Sequence, residues 1–248
     1  MGHLDVLYEE GPCLVVNKPA GLLTQAPRGI DSLEIWVREF YQQRDAPEGN
    51  FYLGLVHRLD RPVTGVIAFG RNVRATQRLA KQFQERTVGK TYWALVEGSV
   101  EQDEGTWRDH LHKRHGMAQA IVVPEDDPRG KHAVLHYRVR WRGELSGKPV
   151  SWLEIELETG RTHQIRVQSG SRGHAVLGDT QYGSAGPFGP PTDDAREAPI
   201  ALHARSLSFR HPMIDESVEV VAPLGDVWRT VLAGGDDAPQ ELLEAIRQ

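Results

Sequence analysis

The 248-residue chain has one cysteine, Cys13, so no internal disulfide can form. Cys13 sits in the run Cys13-Leu14-Val15-Val16 and reads as a small buried hydrophobe. No apolar run reaches the roughly 20 residues that a membrane-spanning helix needs. The opening MGHLDVLYEEGP lacks a basic stretch followed by an apolar one, which argues against a secretory signal. These absences lead to the expectation of a cytoplasmic protein. An overall positive charge is missing too: 29 Lys and Arg stand against 34 Asp and Glu, a net charge of −5.

The charge is unevenly spread. From His57 to Tyr92 there are eight Lys or Arg and two acids, whereas from Asp215 to the end there are eight acids and two arginines. A polyanion can therefore meet one basic face of a molecule that is acidic as a whole. Otherwise the composition is that of an ordinary globular protein, 39% hydrophobic and 25% charged. With no internal repeat and no evident boundary, residues 1–248 are expected to form a single domain. Within it, 184–199 reads as an exposed loop, with four prolines, two glycines and no period, and 224–248 as an acidic C-terminal segment.

The periodicities give a coarse architecture. Leu4–Val16 reads as two strands around Glu10-Gly11-Pro12, with a turn following at Asn17–Gly21. Asp31–Gln43 carries Leu33, Trp36, Val37 and Phe40 at helical spacing, with Asp31 or Ser32 as the cap. Asn72–Arg86 reads as an Asn-capped helix with the stripe Ala75, Leu79, Phe83, its other faces basic. Thr91–Glu97 looks buried on both faces. Trp152–Glu158 alternates Leu153, Ile155 and Leu157 against three glutamates, the mark of a half-buried strand. Thr162–Val167 reads as a short helix ending before Gly170. Strands and helices interleave without a regular βα rhythm, so the fold expected is α+β, with a mixed, largely antiparallel β-sheet flanked by helices and loops.

Three segments set polar residues against strands: His57-Arg58-Leu59-Asp60, Lys90-Thr91-Tyr92, and Thr159 through Arg166. HRLDRPVTGV (57–66), KTYWALVEG (90–98), ETGRTHQIRVQSGSRGHAVLGDTQYG (158–183) and LHARSLSFRHP (202–212) follow LYEEGPCLVVNKPAGLLTQAP (7–27) in order. Together they resemble the RluA-type RNA pseudouridine synthases, from about Leu4 to Pro223. The resemblance implies a bent mixed sheet with an RNA-binding cleft, no cofactor and no metal, and isomerisation of uridine in ribosomal or transfer RNA. The expected partner is RNA rather than DNA or a membrane, and the expected state a monomer. The pattern starts near residue 4, so no S4-type RNA-binding domain is expected before it.

By the same resemblance Asp60 is the essential carboxylate, Arg166 its salt-bridge partner and Tyr92 the active-site tyrosine. Alone, Tyr92 would read as a buried strand residue. A reaction that keeps the base needs no second carboxylate to activate water, in contrast to glycoside hydrolysis. Asp60 must be ionised, whether it attacks C1′ or removes a ribose proton. Arg58 is a candidate to fill the space a flipped base leaves or to grip the flanking backbone. Lys18, Arg161 and the basic helix are candidate substrate or phosphate contacts. His57 and His163 fit substrate contacts and packed, hydrogen-bonded histidines equally well. Two positions depart from the family pattern: Val63 replaces a Thr after the catalytic Asp, and Gln168 replaces a His.

Two rival readings are defined by residues. A metal hydrolase would use His110, His112 and His115, but Lys113 and Arg114 beside them repel a cation. A non-catalytic RNA-binding or ribosome-assembly factor would have lost Asp60, Tyr92 or Arg166, and all three are present.

Overall fold

The structure is a computed structural model that describes residues 3–44, 51–233 and 239–247. Its strands are β1 (Asp5–Glu10), β2 (Cys13–Lys18), β3 (Gly54–Leu55), β4 (Thr64–Gly70), β5 (Gly89–Glu97), β6 (Glu104–Lys113), β7 (Ala120–Val123), β8 (Lys131–Leu145), β9 (Lys148–Leu157), β10 (Leu202–Arg210) and β11 (Ser217–Val221). The helices are α1 (Leu33–Arg44), α2 (Val73–Glu85), α3 (Gln164–Gly170), α4 (Asp226–Ala233) and α5 (Gln240–Arg247), with a 3-10 turn at Thr180–Tyr182. The chain divides into two compact units. The first holds residues 1–90, 194–197 and 204–223, and the second 91–193, 198–203 and 224–248.

In the first unit the strands follow the order β1-β2-β4-β10, with β3 on β4 and β11 on β10. The ladders β1–β2, β2–β4, β3–β4 and β10–β11 are antiparallel. The β1–β2 hairpin turns at Gly11, whose φ of +49° suits glycine. In β2 Leu14 faces Phe69 and Val16 faces Ile67, and all four are fully buried. The unbroken apolar run of β2 thus reflects cover on both faces. Helix α1 buries Leu33, Val37 and Tyr41, one residue per turn. Its first turn is capped by Ser32, whose Oγ accepts from the Ile35 amide. In α2, Asn72 accepts from the Ala75 amide at 2.7 Å, a cap worth about 1 kcal/mol. Arg86 ends that helix in the left-handed conformation. Gly65 adopts φ +114°, and a Cβ there would lie 2.2 Å from the Ala204 carbonyl oxygen, so only glycine lets the two backbones approach this closely.

In the second unit the strand order is β5-β9-β8-β6-β7, with antiparallel neighbours throughout. Ser146 and Gly147, both at positive φ, close the β8–β9 hairpin in two residues, matching the twist of the strands. On β9 Leu153 and Ile155 are buried while Glu156 is exposed, as the alternation predicts. Helix α3 presses Val167 onto Leu111, Ala120 and Ala133 of the sheet.

The α+β, mostly antiparallel expectation holds. The short helix expected at Thr162–Val167 instead begins at Gln164 and runs through Gly170. Its entry is His163 at φ +54°, a left-handed non-glycine residue that no residue pattern announces. Gly170 stays inside because a Cβ there would meet the Tyr182 carbonyl oxygen at 2.6 Å. The 184–199 stretch has no helix or strand, though Phe188 is buried. The acidic C-terminal segment carries α4 and α5, and its Asp236 and Asp237 lie outside the described residues.

Candidate active site

In the first unit, Asp60 stands on the turn that links β3 to β4 and is half-buried. The turn is closed by the Val63 amide donating to the Asp60 carbonyl at 3.1 Å. Just before it, Leu59 is pinned twice by Thr24. The Leu59 amide donates to Thr24 Oγ1 at 3.1 Å, and that hydroxyl donates to the Leu59 carbonyl at 2.9 Å. Arg61, the arginine directly after Asp60, sends Nε to the Gly21 carbonyl at 2.8 Å and Nη2 to Glu197 at 3.3 Å.

Lys18 binds the same turn from beneath. Its ammonium donates to the carbonyls of Pro19 (2.8 Å), Leu22 (2.7 Å) and Arg61 (3.1 Å), and the residue is 0% exposed. Burial pushes its pKa down to about 7, and the Asp60 carboxylate pulls it back up. The structure therefore brings Lys18 and Asp60 together through the Arg61 carbonyl, with Lys18 as an internal strut of the turn.

His57 occupies a different setting. Its ring stacks on Phe83 at 4.5 Å, and Nε2 accepts the Ala68 amide at 2.9 Å. Accepting an amide requires an unprotonated Nε2. Burial, reinforced by Lys90, pushes the ring's pKa down to about 3, so it is neutral. Arg58 is exposed and makes no hydrogen bond or ion pair with a described residue. The basic helix α2 presents Arg74, Arg78 and Lys81 to solvent. Arg78 is tied to the Pro212 carbonyl and Lys81 lies 3.7 Å from Glu85.

In the second unit, Tyr92 is half-buried on β5, opposite Ile155 of β9. Arg166 is buried on α3. Its Nε and Nη2 reach the two Asp179 oxygens at 2.6 and 2.9 Å, and Nη2 also reaches Gln181 Oε1 at 2.9 Å. The guanidinium lies 5.1 Å from the centre of the Tyr182 ring. Such a two-point grip fixes the plane of the arginine. Tyr182 links further: its hydroxyl accepts the Ala120 amide and lies 2.9 Å from His163 Nδ1. His163 and Arg166 thus meet on opposite parts of one tyrosine.

Arg161 sends Nε to the His132 carbonyl at 2.9 Å, and its amide donates to Gln164. Gln164 is buried, accepts from Thr159 and donates to the Val134 carbonyl, so the start of α3 is tied to β8. Gln168 donates to the Trp107 carbonyl and to Asp109. Asp179, Gln181 and Tyr182 were missed at the level of sequence. Their only signal was that they share the quoted 158–183 motif with Arg166.

His110 and His112 lie on β6, with the His110 ring 5.5 Å from that of His132. Among the described residues no three His, Cys, Asp or Glu side chains gather to hold a metal ion. No described helix is long and apolar enough to cross a membrane.

The profile of the family described as RNA pseudouridylate synthase matches residues 12–171. The chain belongs to that family. Relatives include an uncharacterized RNA pseudouridine synthase of Synechocystis sp., 35% identical over 223 residues, which cover 89% of this chain and 65% of the relative. Ribosomal large subunit pseudouridine synthase D of Vibrio cholerae is 33% identical over 245 residues, 95% of this chain and 72% of the relative. The enzyme of that name from Neisseria meningitidis serogroup A is 36% identical over 90% of this chain and 59% of the relative. The chain thus spans between 59% and 72% of the length of these three relatives. Among solved structures, human RNA pseudouridylate synthase domain containing 4 aligns with a TM-score of 0.72 at 22% identity, covering 98% of this chain and 93% of that one. This last likeness establishes the pseudouridine synthase fold.

Proposed function

We propose that the protein converts uridine to pseudouridine in RNA, with large-subunit ribosomal RNA as the first substrate to test. The observation that carries this is the family match across residues 12–171. Asp60, Tyr92 and Arg166 lie within that span, and we assign them as acid, tyrosine and arginine on the resemblance of the motifs around them. Ribosomal RNA leads because two relatives over 30% identical are named large-subunit synthases.

The reaction is balanced without any added atom. The C1′–N1 bond breaks, C5 bonds to C1′, the C5 proton leaves and N1 ends protonated. Asp60 supplies the ionised carboxylate at the sugar. Its turn is held through backbone groups by Lys18 and Thr24. On the family resemblance Arg166 is assigned as the counter-charge to that carboxylate, and its own plane is set by Asp179 and Gln181. Tyr92 offers a ring for the uracil to stack on and a hydroxyl near the departing C5 proton. Extruding the target base costs a few kcal/mol. Arg58, exposed and without a protein partner among the described residues, is suited to fill the gap it leaves.

The test is a map of pseudouridine in ribosomal and transfer RNA from cells with and without the gene. The expected result is loss of one or a few sites in large-subunit RNA. Identical maps in both RNA classes would refute the proposal.

A further inference from the structure

On the second unit, a depression of about 440 Å³ opens between the β6–β7 hairpin, the start of β8 and the loop that leads into α3. Its volume lies in the range of small-ligand pockets, about 300–1,000 Å³. Leu111 and Ala120 form an apolar floor, and both are buried in the cluster that carries Val167. The rim is basic: Lys113, Arg129, Lys131 and Arg161 surround it, with His112 beside them.

The rim charges are not equally spent. Arg129 grips Asp127 with two bonds, Nε to Oδ1 at 3.0 Å and Nη2 to Oδ2 at 2.7 Å, so its charge is largely offset. Lys113 and Lys131 are exposed and have no ion pair with a described residue. Register places them on one face of the sheet: Lys131 stands opposite Leu111, and Lys113 is two residues beyond Leu111 on β6. Arg161 is anchored only through Nε, to the His132 carbonyl, and no described residue takes its Nη groups. The rim therefore holds three uncompensated cations, one of them a pre-oriented guanidinium, above an apolar floor. A phosphate diester fits that rim, and a sugar or base fits that floor.

We propose that this depression is a nucleotide subsite for the RNA chain, in which Lys113, Lys131 and Arg161 hold the backbone phosphates and Leu111 and Ala120 underlie the nucleoside. The inference rests on the RNA-directed reading above and adds a place on the surface where that RNA is gripped.

The test is equilibrium binding of the full chain to a labelled single-stranded RNA of about 20 nucleotides, over a salt series. The wild type is compared with the Lys113→Gln/Lys131→Gln protein. Both changes are at exposed positions, and Lys131→Arg serves as the charge-preserving control. Each lost phosphate contact on a single strand flattens the log–log salt slope by about 0.7, so the double change should flatten it by about 1.4. Lys131→Arg should keep the wild-type slope. RNAs with one methylphosphonate linkage should bind the wild type more weakly at two or three positions, and the double variant should lose that sensitivity at all but the one held by Arg161. Coincident slopes, or a variant still sensitive at every linkage to which the wild type responds, would overturn the subsite. The two proposals fail separately. Coincident slopes in a protein that makes pseudouridine remove the subsite alone. Different slopes in a protein that makes none remove the reaction and leave the subsite standing.

Discussion

The Asp60 turn in the first unit and the Arg166 helix in the second hold opposite charges by opposite means. The turn is fixed almost entirely through backbone groups: Lys18 on three carbonyls, Thr24 on both sides of Leu59, Arg61 on the Gly21 carbonyl. The arginine is fixed through side chains, by a dedicated carboxylate and amide. The difference follows from the chemistry of each element: a turn offers backbone carbonyls and amides to hold, whereas a guanidinium presents five N–H donors in a fixed fork that a carboxylate and an amide oxygen can take up.

The sharpest way to break this comparison is Asp179→Ala. It leaves Arg166 buried without its carboxylate, a loss of about 3–5 kcal/mol in denaturant unfolding. Adding Arg166→Met should recover part of the loss, because the buried guanidinium that Asp179 balanced is then gone. Strictly additive effects would mean the pair is not coupled. On the turn's side, Gly65→Ala forces a Cβ into the Ala204 backbone at a positive φ. It should cost about 1–3 kcal/mol, read from the shift in denaturation midpoint, and an unchanged midpoint would contradict the close approach.

His57 gives a pH-dependent test of the same unit. Its folded pKa of about 3 is below the ordinary 6.5, so between those values the unfolded chain binds a proton that the folded one does not. Stability should therefore fall as pH drops from 6.5 towards 3, by up to about 1.4 kcal/mol per unit from this group. His57→Gln removes that contribution, so its stability–pH profile should be flatter than the wild type's over this window. Parallel profiles would contradict a neutral, amide-accepting ring. The smallest stability effect belongs to Arg58→Ala, within about 0.5 kcal/mol of wild type because the residue is exposed and unpartnered among the described residues. Its effect should appear in pseudouridine formation, and an unaltered rate would remove Arg58 from the proposed machinery.

The comparison also shows what a sequence can carry. The β1–β2 hairpin was legible from Gly11-Pro12, α2 from Asn72 and its stripe, and β9 from strict alternation, because each signal is local. Lys18 was not. Between Asn17 and Pro19 it reads as a turn residue and a candidate substrate contact, and only the fold supplies three carbonyls to its buried ammonium. Asp179 was hidden similarly, 13 residues from Arg166 with no period linking them. Strands β6, β7 and β8 escaped because their histidines, lysines and arginines mask the alternation, and His110 and His112 instead suggested metal ligands. The residues proposed to react were suggested by a family pattern, and the residues that pack around them were not.

The central claim is tested most directly by tritium release from RNA labelled at uridine C5, with wild type and Asp60→Asn compared on the same large-subunit transcript. The wild type should release one tritium for each pseudouridine formed. Asp60→Asn should release none above background while binding the transcript about as tightly. Release by the Asn protein at more than a trace of the wild-type rate, with pseudouridine formed, would contradict the assignment of Asp60.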